Sequence, residues 1–471
     1  MATSLLTKIF SRANSKSVFI LIMIGIAIKI LFLATYINSG WFDDSGSYLN
    51  LADRISSGNW KGYEAKRTPG YPLLMLALQK NTIAIQILQS VFGIFVSLIL
   101  FDITNKILKS SQVAFWVSLI YLFSINIWFM DAAILTESLC TLLLITACWL
   151  GYKLHSQESY FKLIILSLTI GFTIGYLLLT RPNMIILLVP FSLWVIFITK
   201  WQLKYRSLIS AVCCVAVIAP SVLIYSGWSQ FNKTQTGSFQ YTMLLGYSIS
   251  QNTGGFMEFA SESDQELRDI YLKYRDKLYD RNIKRPSGWN LQEGTIFRAF
   301  DEMLETTGLS VGELSSEMLG LNLRLISKHP HLYAEGVFTA WLKFGYGGWF
   351  VDLDPVKPGF LTEVYVSIWY LQHLIVISMY IISLITLCWA GYGLYKKKNI
   401  LINSYIFFLC NIVLLSSIFQ ALIQNGENAR YGIPFQVIVL LISSYGIIRH
   451  RVLGTFQESS RDNIPNQTNK V

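Results

Sequence analysis

Two stretches in the first part of the chain hold side chains that could act as a base and as a phosphate clamp. Asp43 and Asp44 follow an apolar segment, and Arg67 opens the stretch 67–72, with the sequence RTPGYP. An ionised carboxylate beside an apolar wall can accept a proton from a hydroxyl or hold a divalent cation. The planar guanidinium of arginine binds phosphate through two parallel N–H donors. Asp44 and Arg67 are therefore candidates for a catalytic base and for a group that neutralises phosphate.

These stretches also have structural interpretations. Asp43 or Asp44 could simply cap a helix, since a carboxylate accepts hydrogen bonds from the free N–H groups of a first turn. The prolines and the glycine of 67–72 could form a turn at a membrane boundary, from which Arg67 reaches the headgroups. Both interpretations stay open beside the chemical ones.

The spacing of the residues after Asp44 predicts the element that positions it. One helical face would hold Asp44, Tyr48, Leu51, Ala52 and Ile55. This pattern predicts a short helix along the membrane interface, with Asp44 near its N-terminus. At that end the helix dipole favours the ionised form of the carboxylate.

Three later motifs add candidate residues at the ends of apolar segments. They are TES with Glu137, TRPN with Arg181, and ARYGIP with Arg430 and Tyr431. Glu137 can lie near a site, or it can simply begin a helix whose dipole its charge complements. Arg181 and Arg430 can neutralise a phosphate, or they can anchor helix ends at the interface. Asp131, in the short loop before Glu137, is not expected to take part.

The composition places these residues in a membrane protein. Of the 471 residues, 53% are hydrophobic and 14% are charged, whereas a soluble domain carries about 25% charged residues. The apolar residues fall in blocks of about 20, which is the length that crosses a hydrocarbon layer as a helix. This pattern excludes a soluble protein, a disordered chain and a disulfide-rich secreted scaffold. The net charge is +10, but the basic residues are spread between the apolar blocks, so they do not indicate nucleic-acid binding.

Ten apolar segments predict an all-α polytopic protein with about ten transmembrane helices. They lie near 17–37, 82–101, 113–130, 135–152, 163–180, 183–199, 207–227, 364–393, 399–422 and 434–448. If the N-terminus is cytoplasmic, the cytoplasmic segments hold 17 lysines and arginines, in 1–16, 102–112, 153–162, 200–206, 394–398 and 449–471. The short loops on the other side hold only Arg181 and Arg430. The positive-inside rule therefore predicts cytoplasmic termini and a multi-pass protein of the plasma (inner) membrane whose site faces outward.

The predicted spans divide the chain into four parts. Residues 1–227 would form an N-terminal transmembrane module with the first outer loop at 38–81, and residues 363–450 the last three spans. Between them, residues 228–362 would form a mainly helical outer region, and residues 451–471 a cytoplasmic tail. Lys29 lies too deep in the first span to reach the headgroups at low cost, so it is expected to pair with an acid or a carbonyl of the bundle.

The order of the motifs resembles a known clan of membrane enzymes. The pattern Asp44-x3-Tyr48-x3-Ala52 after the first span, followed by RTPGYP, TES, TRPN and ARYGIP, resembles the dolichyl-phosphate-mannose protein mannosyltransferases and aminoarabinose transferases of the GT-C glycosyltransferases. The resemblance implies transfer of a sugar, with inversion, from a polyprenyl-phosphate donor to a lipid, glycan or protein acceptor of the cell envelope. It also implies that an acid of the first outer loop, Asp44 or alternatively Asp43, is essential, with Glu137 nearby.

On this interpretation Asp44 is the base or a metal ligand, and Arg67, Arg181 and Arg430 neutralise the departing phosphate. Tyr48, Tyr71 and Tyr431 would contact the substrate, and Asp44 with Glu137 could hold Mg or Mn. An alternative is a transporter or lipid flippase without enzymatic activity, although the chain has no two matching halves. A ligase or polymerase that acts on oligosaccharides is a third interpretation, and it lacks the expected pair of arginines in the large outer loop.

Overall fold

The first half of this membrane protein is a series of helices joined by short connections. The computed structural model describes residues 14–36, 40–202, 206–280, 294–347 and 353–461. The helices of the first half are α1 (Ser15–Tyr36), α2 (Asp43–Ser57), α3 (Gly70–Ala77), α4 (Thr82–Leu108), α5 (Ser111–Leu122), α6 (Ile125–Ala132), α7 (Glu137–Leu154), α8 (Tyr160–Thr180), α9 (Leu188–Gln202) and α10 (Arg206–Thr236). A 3-10 helix, Pro182–Leu187, joins α8 to α9.

A group of shorter helices follows α10. They are α11 (Leu245–Thr253), α12 (Gln265–Asp280), α13 (Thr295–Thr307), α14 (Val311–Lys328) and α15 (Pro330–Phe344). They enclose an apolar cluster of their own, which includes Tyr247, Met257, Tyr271, Met303 and Met318. The prediction that this region is mainly helical is confirmed for its described residues.

Four helices complete the chain. They are α16 (Phe360–Tyr395), α17 (Ile400–Ile423), the short α18 (Asn428–Gly432) and α19 (Gln436–Arg461). The last helix continues beyond the predicted end near residue 448, so part of the predicted tail 451–471 is helical. Residues 462–471 lie outside the described residues.

The long helices have the length and composition of membrane spans. Within the described residues, nine helical segments are long and apolar enough to cross a membrane, and α5 with α6 would make a tenth. A hydrocarbon layer offers no water to backbone groups, so a spanning segment satisfies them within its own helix. The predicted all-α class is confirmed for the described residues, and their nine or ten long apolar helices are compatible with the predicted polytopic membrane protein.

The third predicted span differs from its prediction. The apolar segment near 113–130 was expected to be one straight helix, but α5 and α6 meet at an angle of 55°. The chain then continues without regular structure from residue 133 to 136 before α7 begins. Such irregular backbone is tolerated at membrane depth only where protein groups satisfy it.

Side chains of earlier elements satisfy the connection 131–136. Gln86 and Gln89 of α4 donate to the carbonyls of Ala132 and Ala133 at 2.7 and 2.6 Å. Gln89 also donates to the carbonyl of Asp131 at 2.9 Å, and the Ser45 hydroxyl of α2 donates to the carbonyl of Ile134 at 2.9 Å. The connection is therefore fixed against α2 and α4.

A buried ion pair holds the same connection against α1. The Nζ atom of Lys29 lies 2.7 Å from Oδ2 of Asp131, and the Ser138 hydroxyl donates to the other oxygen of that carboxylate. A Cβ atom on Gly93 would lie 2.3 Å from Oδ2, so a residue without a side chain is required there. The prediction of a partner for Lys29 is confirmed. The placement of Asp131 in an outer loop is wrong, because Asp131 is buried and pairs with Lys29.

Candidate functional site

Helix α2 places Asp44 and Asp43 in different surroundings. The helix begins at Asp43, and the residue that caps it is Phe42, whose N–H donates to the Ser45 hydroxyl at 3.0 Å. The aspartates therefore do not serve as the cap. Tyr48, with Leu51 and Ala52, is buried as the helical face predicted. Asp43 is exposed to solvent, whereas the Asp44 side chain keeps only 25% of its exposure.

Gly70 brings the RTPGYP motif against the end of α8. A Cβ atom on Gly70 would lie 2.7 Å from the backbone of Leu179, so only glycine permits this approach. The Tyr176 hydroxyl of α8 donates to the Gly70 carbonyl at 3.0 Å. Because Arg181 directly follows α8, this packing brings Arg67 and Arg181 to one region of the molecule.

Asp44 forms ion pairs with two arginines from distant parts of the chain. Its Oδ1 atom pairs with the Arg67 guanidinium, and its Oδ2 atom lies 3.0 Å from Nη1 of Arg430. The Nε atom of Arg67 also donates to the Ser47 hydroxyl at 2.7 Å. Both oxygens of Asp44 are thus engaged by cations.

Glu137 connects the other two arginines. Its Oε1 atom lies 2.5 Å from Nη2 of Arg181 and also pairs with Nε of Arg430. The Nε atom of Arg181 donates to the Thr136 hydroxyl at 2.6 Å, and Glu427 pairs with Nη1 of Arg430 at 2.5 Å. Arg430 therefore contacts three carboxylates, those of Asp44, Glu137 and Glu427. We refer to Arg67, Arg181 and Arg430 as the arginine cluster.

Tyrosine rings cover two of these guanidiniums. The guanidinium carbon of Arg67 lies 5.0 Å from the ring centre of Tyr48, and that of Arg181 lies 4.7 Å from the ring centre of Tyr431. Tyr71 was also predicted to contact a substrate, but it is fully buried behind Tyr48, with its hydroxyl 2.7 Å from Oε1 of Gln89. Tyr71 therefore supports Tyr48 and does not reach the cavity.

A cavity of about 560 Å³ opens beside the arginine cluster. All three arginines line it, together with Tyr48 and Tyr431, and its other walls come from α10, α11, α14, α17 and the connection before α11. The described residues that line the cavity do not include Asp44 or Glu137. The arginines therefore line the cavity, whereas the carboxylates that pair with them lie beside it, and the Asp44 side chain keeps part of its exposure. A volume of this size accommodates a small-molecule ligand.

Two buried polar atoms at this site have no hydrogen-bond partner among the described residues. They are Nη1 of Arg181 and Oε2 of Glu137. Buried polar groups in proteins are nearly always paired, and an unpaired one costs about 1–3 kcal/mol. The ion pair of Arg181 with Glu137 thus leaves one donor and one acceptor unsatisfied inside the protein.

The arginines determine the ionisation of Asp44. Burial alone would raise the pKa of its carboxyl group, but the charges of Arg67 and Arg430 outweigh burial and lower that pKa below its usual value. Burial raises the pKa of Glu427, and the nearby carboxylates Asp44 and Glu137 raise it further, although Arg430 partly opposes them. Asp44 is thus ionised at neutral pH, and Glu427 takes up a proton more readily than an ordinary glutamate.

This difference predicts how anion binding depends on pH. As the pH falls through the raised pKa of Glu427, that side chain becomes neutral, Asp44 stays charged, and the charge of Arg430 is less compensated. We expect the affinity for sulfate, whose charge is constant between about pH 7.5 and about pH 5, to increase by at most about tenfold per pH unit. The measurement is calorimetric titration of the purified protein with sulfate. Glu427→Gln should bind sulfate tightly at both ends of this pH range. If the affinity of this variant for sulfate depends on pH as it does in the wild type, Glu427 is not the group that titrates.

The residues present do not fit a divalent metal ion. The described residues contain no group of three or more His, Cys, Asp or Glu side chains arranged to hold one. The two predicted ligands, Asp44 and Glu137, each face two guanidiniums, whose positive charge opposes a cation at the same oxygens. The site suits an anion better than Mg or Mn.

The structure brings together most of the residues that the sequence singled out. Asp44, Tyr48, Arg67, Glu137, Arg181, Arg430 and Tyr431 lie at one site. Asp43, the alternative acid, is exposed to solvent. Sequence reasoning missed Glu427, although its position three residues before Arg430 could have indicated an ion pair. It also missed Gln86 and Gln89, whose signal was a pair of amides inside an apolar span.

Comparison with known proteins does not identify a relative. No family model matches the chain, and no curated protein matches it. The function must therefore be argued from the geometry of the site.

Proposed function

We propose that this protein is a membrane glycosyltransferase that moves a sugar from a polyprenyl-phosphate donor to an acceptor of the cell envelope. The acceptor is a lipid, a glycan or a protein, and the reaction takes place at the cavity beside the arginine cluster. The resemblance of the serial motifs to the GT-C clan motivates the proposal. The geometry of the described residues adds independent support.

One observation carries the proposal. Three arginines from the first outer loop, from the end of α8 and from α18 converge on one wall of one cavity, each held by a carboxylate. Such guanidiniums keep their orientation before a ligand arrives, so little reorganisation accompanies the binding of a phosphate.

Donor binding would release Asp44 from its ion pairs. The phosphate of the donor competes with Asp44 for Arg67 and Arg430, the two guanidiniums that now engage both of its oxygens. When these contacts weaken, burial is no longer outweighed, and the pKa of Asp44 rises from its lowered value toward the range in which a carboxylate can act as a base. In this way the base becomes active only when the donor is present.

In the transfer step one bond forms, one bond breaks and one proton moves. The acceptor hydroxyl attacks the anomeric carbon from the face opposite the phosphate, and its proton passes to the Asp44 carboxylate. The bond between the anomeric carbon and the phosphate oxygen breaks, and its electron pair leaves on the polyprenyl phosphate. The arginine cluster stabilises this leaving group, and the attack gives inversion at the anomeric carbon.

The proposed orientation places the site outside the cytoplasm. The segments opposite the cavity hold 17 lysines and arginines, whereas the short connections on its side, near 131–134, 181–182 and 423–433, hold only Arg181 and Arg430. The positive-inside rule, which counts short loops, then favours cytoplasmic termini. Since a polyprenyl carrier dissolves in the bilayer, the protein would work in the plasma (inner) membrane. The helices α11 to α15, of which α11 and α14 line the cavity, would then cover the site on the outer side.

Neutralising Asp44 tests the proposal. We expect Asp44→Asn to lower sugar transfer by about a hundredfold, because the amide removes the base and one ion-pair partner of two arginines. Membranes with a labelled polyprenyl-phosphate sugar and envelope extract provide the assay. Asp43→Asn is the matched control, since Asp43 is the exposed neighbour, and it should retain full transfer. Equal activity of the two variants would refute the role of Asp44.

One observation favours transport as a second candidate function. The bent pair α5 and α6 and the buried pair of Lys29 with Asp131 are features that transporters often have. A transporter or flippase would move a labelled lipid across reconstituted vesicles without breaking its sugar–phosphate bond. Detection of free polyprenyl phosphate in the same assay separates the two functions.

A further inference from the structure

We infer that a row of carboxamides in the cavity binds the sugar of the donor, and that this sugar carries hydroxyl groups and no amine. The row consists of Asn183, Gln420 and Gln424. The inference rests on the proposed function, because it assigns the part of the cavity next to the phosphate site. It names the substrate class within the glycosyl donors.

The three amides are linked in a chain. The Nδ2 atom of Asn183 donates to Oε1 of Gln420 at 2.8 Å, and Nε2 of Gln420 donates to Oε1 of Gln424 at 3.3 Å. All three side chains line the cavity. Within the described part of the chain, the carbonyl oxygen of Asn183 and the NH2 group of Gln424 have no hydrogen-bond partner. The row therefore ends in one free acceptor and one free donor.

A sugar hydroxyl matches these free groups. A hydroxyl both donates and accepts a hydrogen bond, and a carboxamide offers both functions without carrying charge. Neighbouring hydroxyls on a ring can therefore pair with the Asn183 oxygen and the Gln424 nitrogen at the same time. The hydroxyls of Ser248, Ser315 and Ser316 lie on the cavity wall contributed by the outer helices and add further partners.

The row is fixed relative to the phosphate site. Asn183 follows Arg181 by two residues, and Gln420 donates through Nε2 to Oδ1 of Asn428 at 3.3 Å, two residues before Arg430. Asn428 is itself fixed by bonds from its Nδ2 atom to the carbonyls of Ala340 and Gln424, both at 2.9 Å. A ligand that binds its phosphate at the arginine cluster thus presents the attached ring to the row.

The charges around the cavity exclude an amine on that ring. The charged side chains among the described lining residues are Lys66, Arg67, Arg181 and Arg430, and none of the lining residues is acidic. An ammonium group on the sugar would lie beside these cations, no lining residue offers it a carboxylate, and the Asp44 carboxylate that donor binding releases is engaged by the acceptor hydroxyl. Such an unpaired charge is costly in a partly dehydrated site, whereas a hydroxyl or a carboxylate is not opposed. A neutral or acidic sugar is therefore favoured over an amino sugar.

Soluble headgroup analogues test the inference on the purified full chain. The probes are inorganic phosphate, glucose 1-phosphate, galactose 1-phosphate and glucosamine 1-phosphate, with affinities from calorimetric titration. We expect at least one neutral hexose phosphate to bind about tenfold tighter than phosphate, the effect of one or two hydrogen bonds. Glucosamine 1-phosphate should bind about tenfold weaker than glucose 1-phosphate. This comparison needs no variant, so it does not depend on how a substitution folds.

Variants then assign the effect to the row. Asn183→Ala and Gln424→Ala should each lower the affinity for the tighter hexose phosphate to near that of phosphate and leave phosphate binding unchanged. Asn411→Ala, on the same helix as Gln420 but away from the cavity, is the control and should bind all probes like the wild type.

Each outcome separates the inference from the proposed function. If the hexose phosphates bind no tighter than phosphate, or glucosamine 1-phosphate binds as well as glucose 1-phosphate, the inference is overturned while the phosphate site stands. If phosphate itself does not bind, the proposed function fails at the arginine cluster, and the inference fails with it.

Discussion

Arg430→Ala should abolish sugar transfer almost completely, with a loss of about a thousandfold. Arg430 contacts Asp44, Glu137 and Glu427, and it also lines the cavity. Its removal leaves carboxylates that have lost a partner in a buried site and takes one cation from the phosphate. Breaking a buried ion pair costs about 3–5 kcal/mol, and about 1.4 kcal/mol corresponds to a factor of ten. The measurement is transfer of label from a polyprenyl-phosphate sugar.

Two further variants show whether this loss reflects the position and the shape of the side chain. Arg298→Ala removes an exposed arginine of α13 and should leave transfer unchanged. Arg430→Lys keeps the charge but loses the planar fork that reaches several carboxylates, so we expect partial activity. An Arg430→Ala protein that folds and transfers sugar within tenfold of the wild type would contradict the proposed phosphate clamp.

Lys29→Met should have the largest effect on stability. The pair of Lys29 with Asp131 is buried, with side-chain exposures of 5% and 3%, and loss of the cation leaves a carboxylate without a counter-charge among apolar helices. We expect the free energy of unfolding to fall by about 3–5 kcal/mol. Unfolding of the detergent-purified protein with a chemical denaturant measures the change.

The double variant identifies the cause of this loss. Lys29→Met combined with Asp131→Leu removes both charges and should recover most of the lost stability, because an apolar pair can replace a buried ion pair at little cost. Lys162→Met, at an exposed position of α8, is the control and should unfold like the wild type. A double variant less stable than Lys29→Met alone would show that the pair does not act as a unit.

The sequence predicts the membrane spans well because each depends on local composition. A block of about 20 apolar residues becomes a helix wherever it lies in the bilayer, since the backbone satisfies itself. The break between α5 and α6 could not be predicted in this way. It lies at residues 123 and 124, where Gln372 of the distant helix α16 donates to the carbonyl of Phe123 at 2.7 Å and accepts from the N–H of Ile125 at 2.8 Å.

The site could be predicted residue by residue, but its pairings could not. In the sequence, only the four-residue spacing to Tyr48 favoured Asp44 over Asp43. In the structure, the two acids differ because Arg67 and Arg430 form ion pairs with Asp44. The contact between Asp44 and Arg430 joins opposite ends of the chain, and no local pattern encodes it. The poor fit of these carboxylates to a divalent metal ion has the same origin, because Arg430, from the far end of the chain, pairs with both Asp44 and Glu137.

The connection 131–136 has a consequence for how the chain is made. Lys29, Ser45, Gln86 and Gln89 are translated before the connection itself, and of the side chains described above as fixing it only Ser138 follows it. Most of the side chains that bond to its irregular backbone are therefore already present when the connection enters the membrane. Asp44 and Glu137 likewise obtain early partners in Arg67 and Arg181, and Arg430 joins both halves only when the final span inserts. A nascent chain is thus stabilised throughout membrane insertion and acquires its complete charge network at the last step.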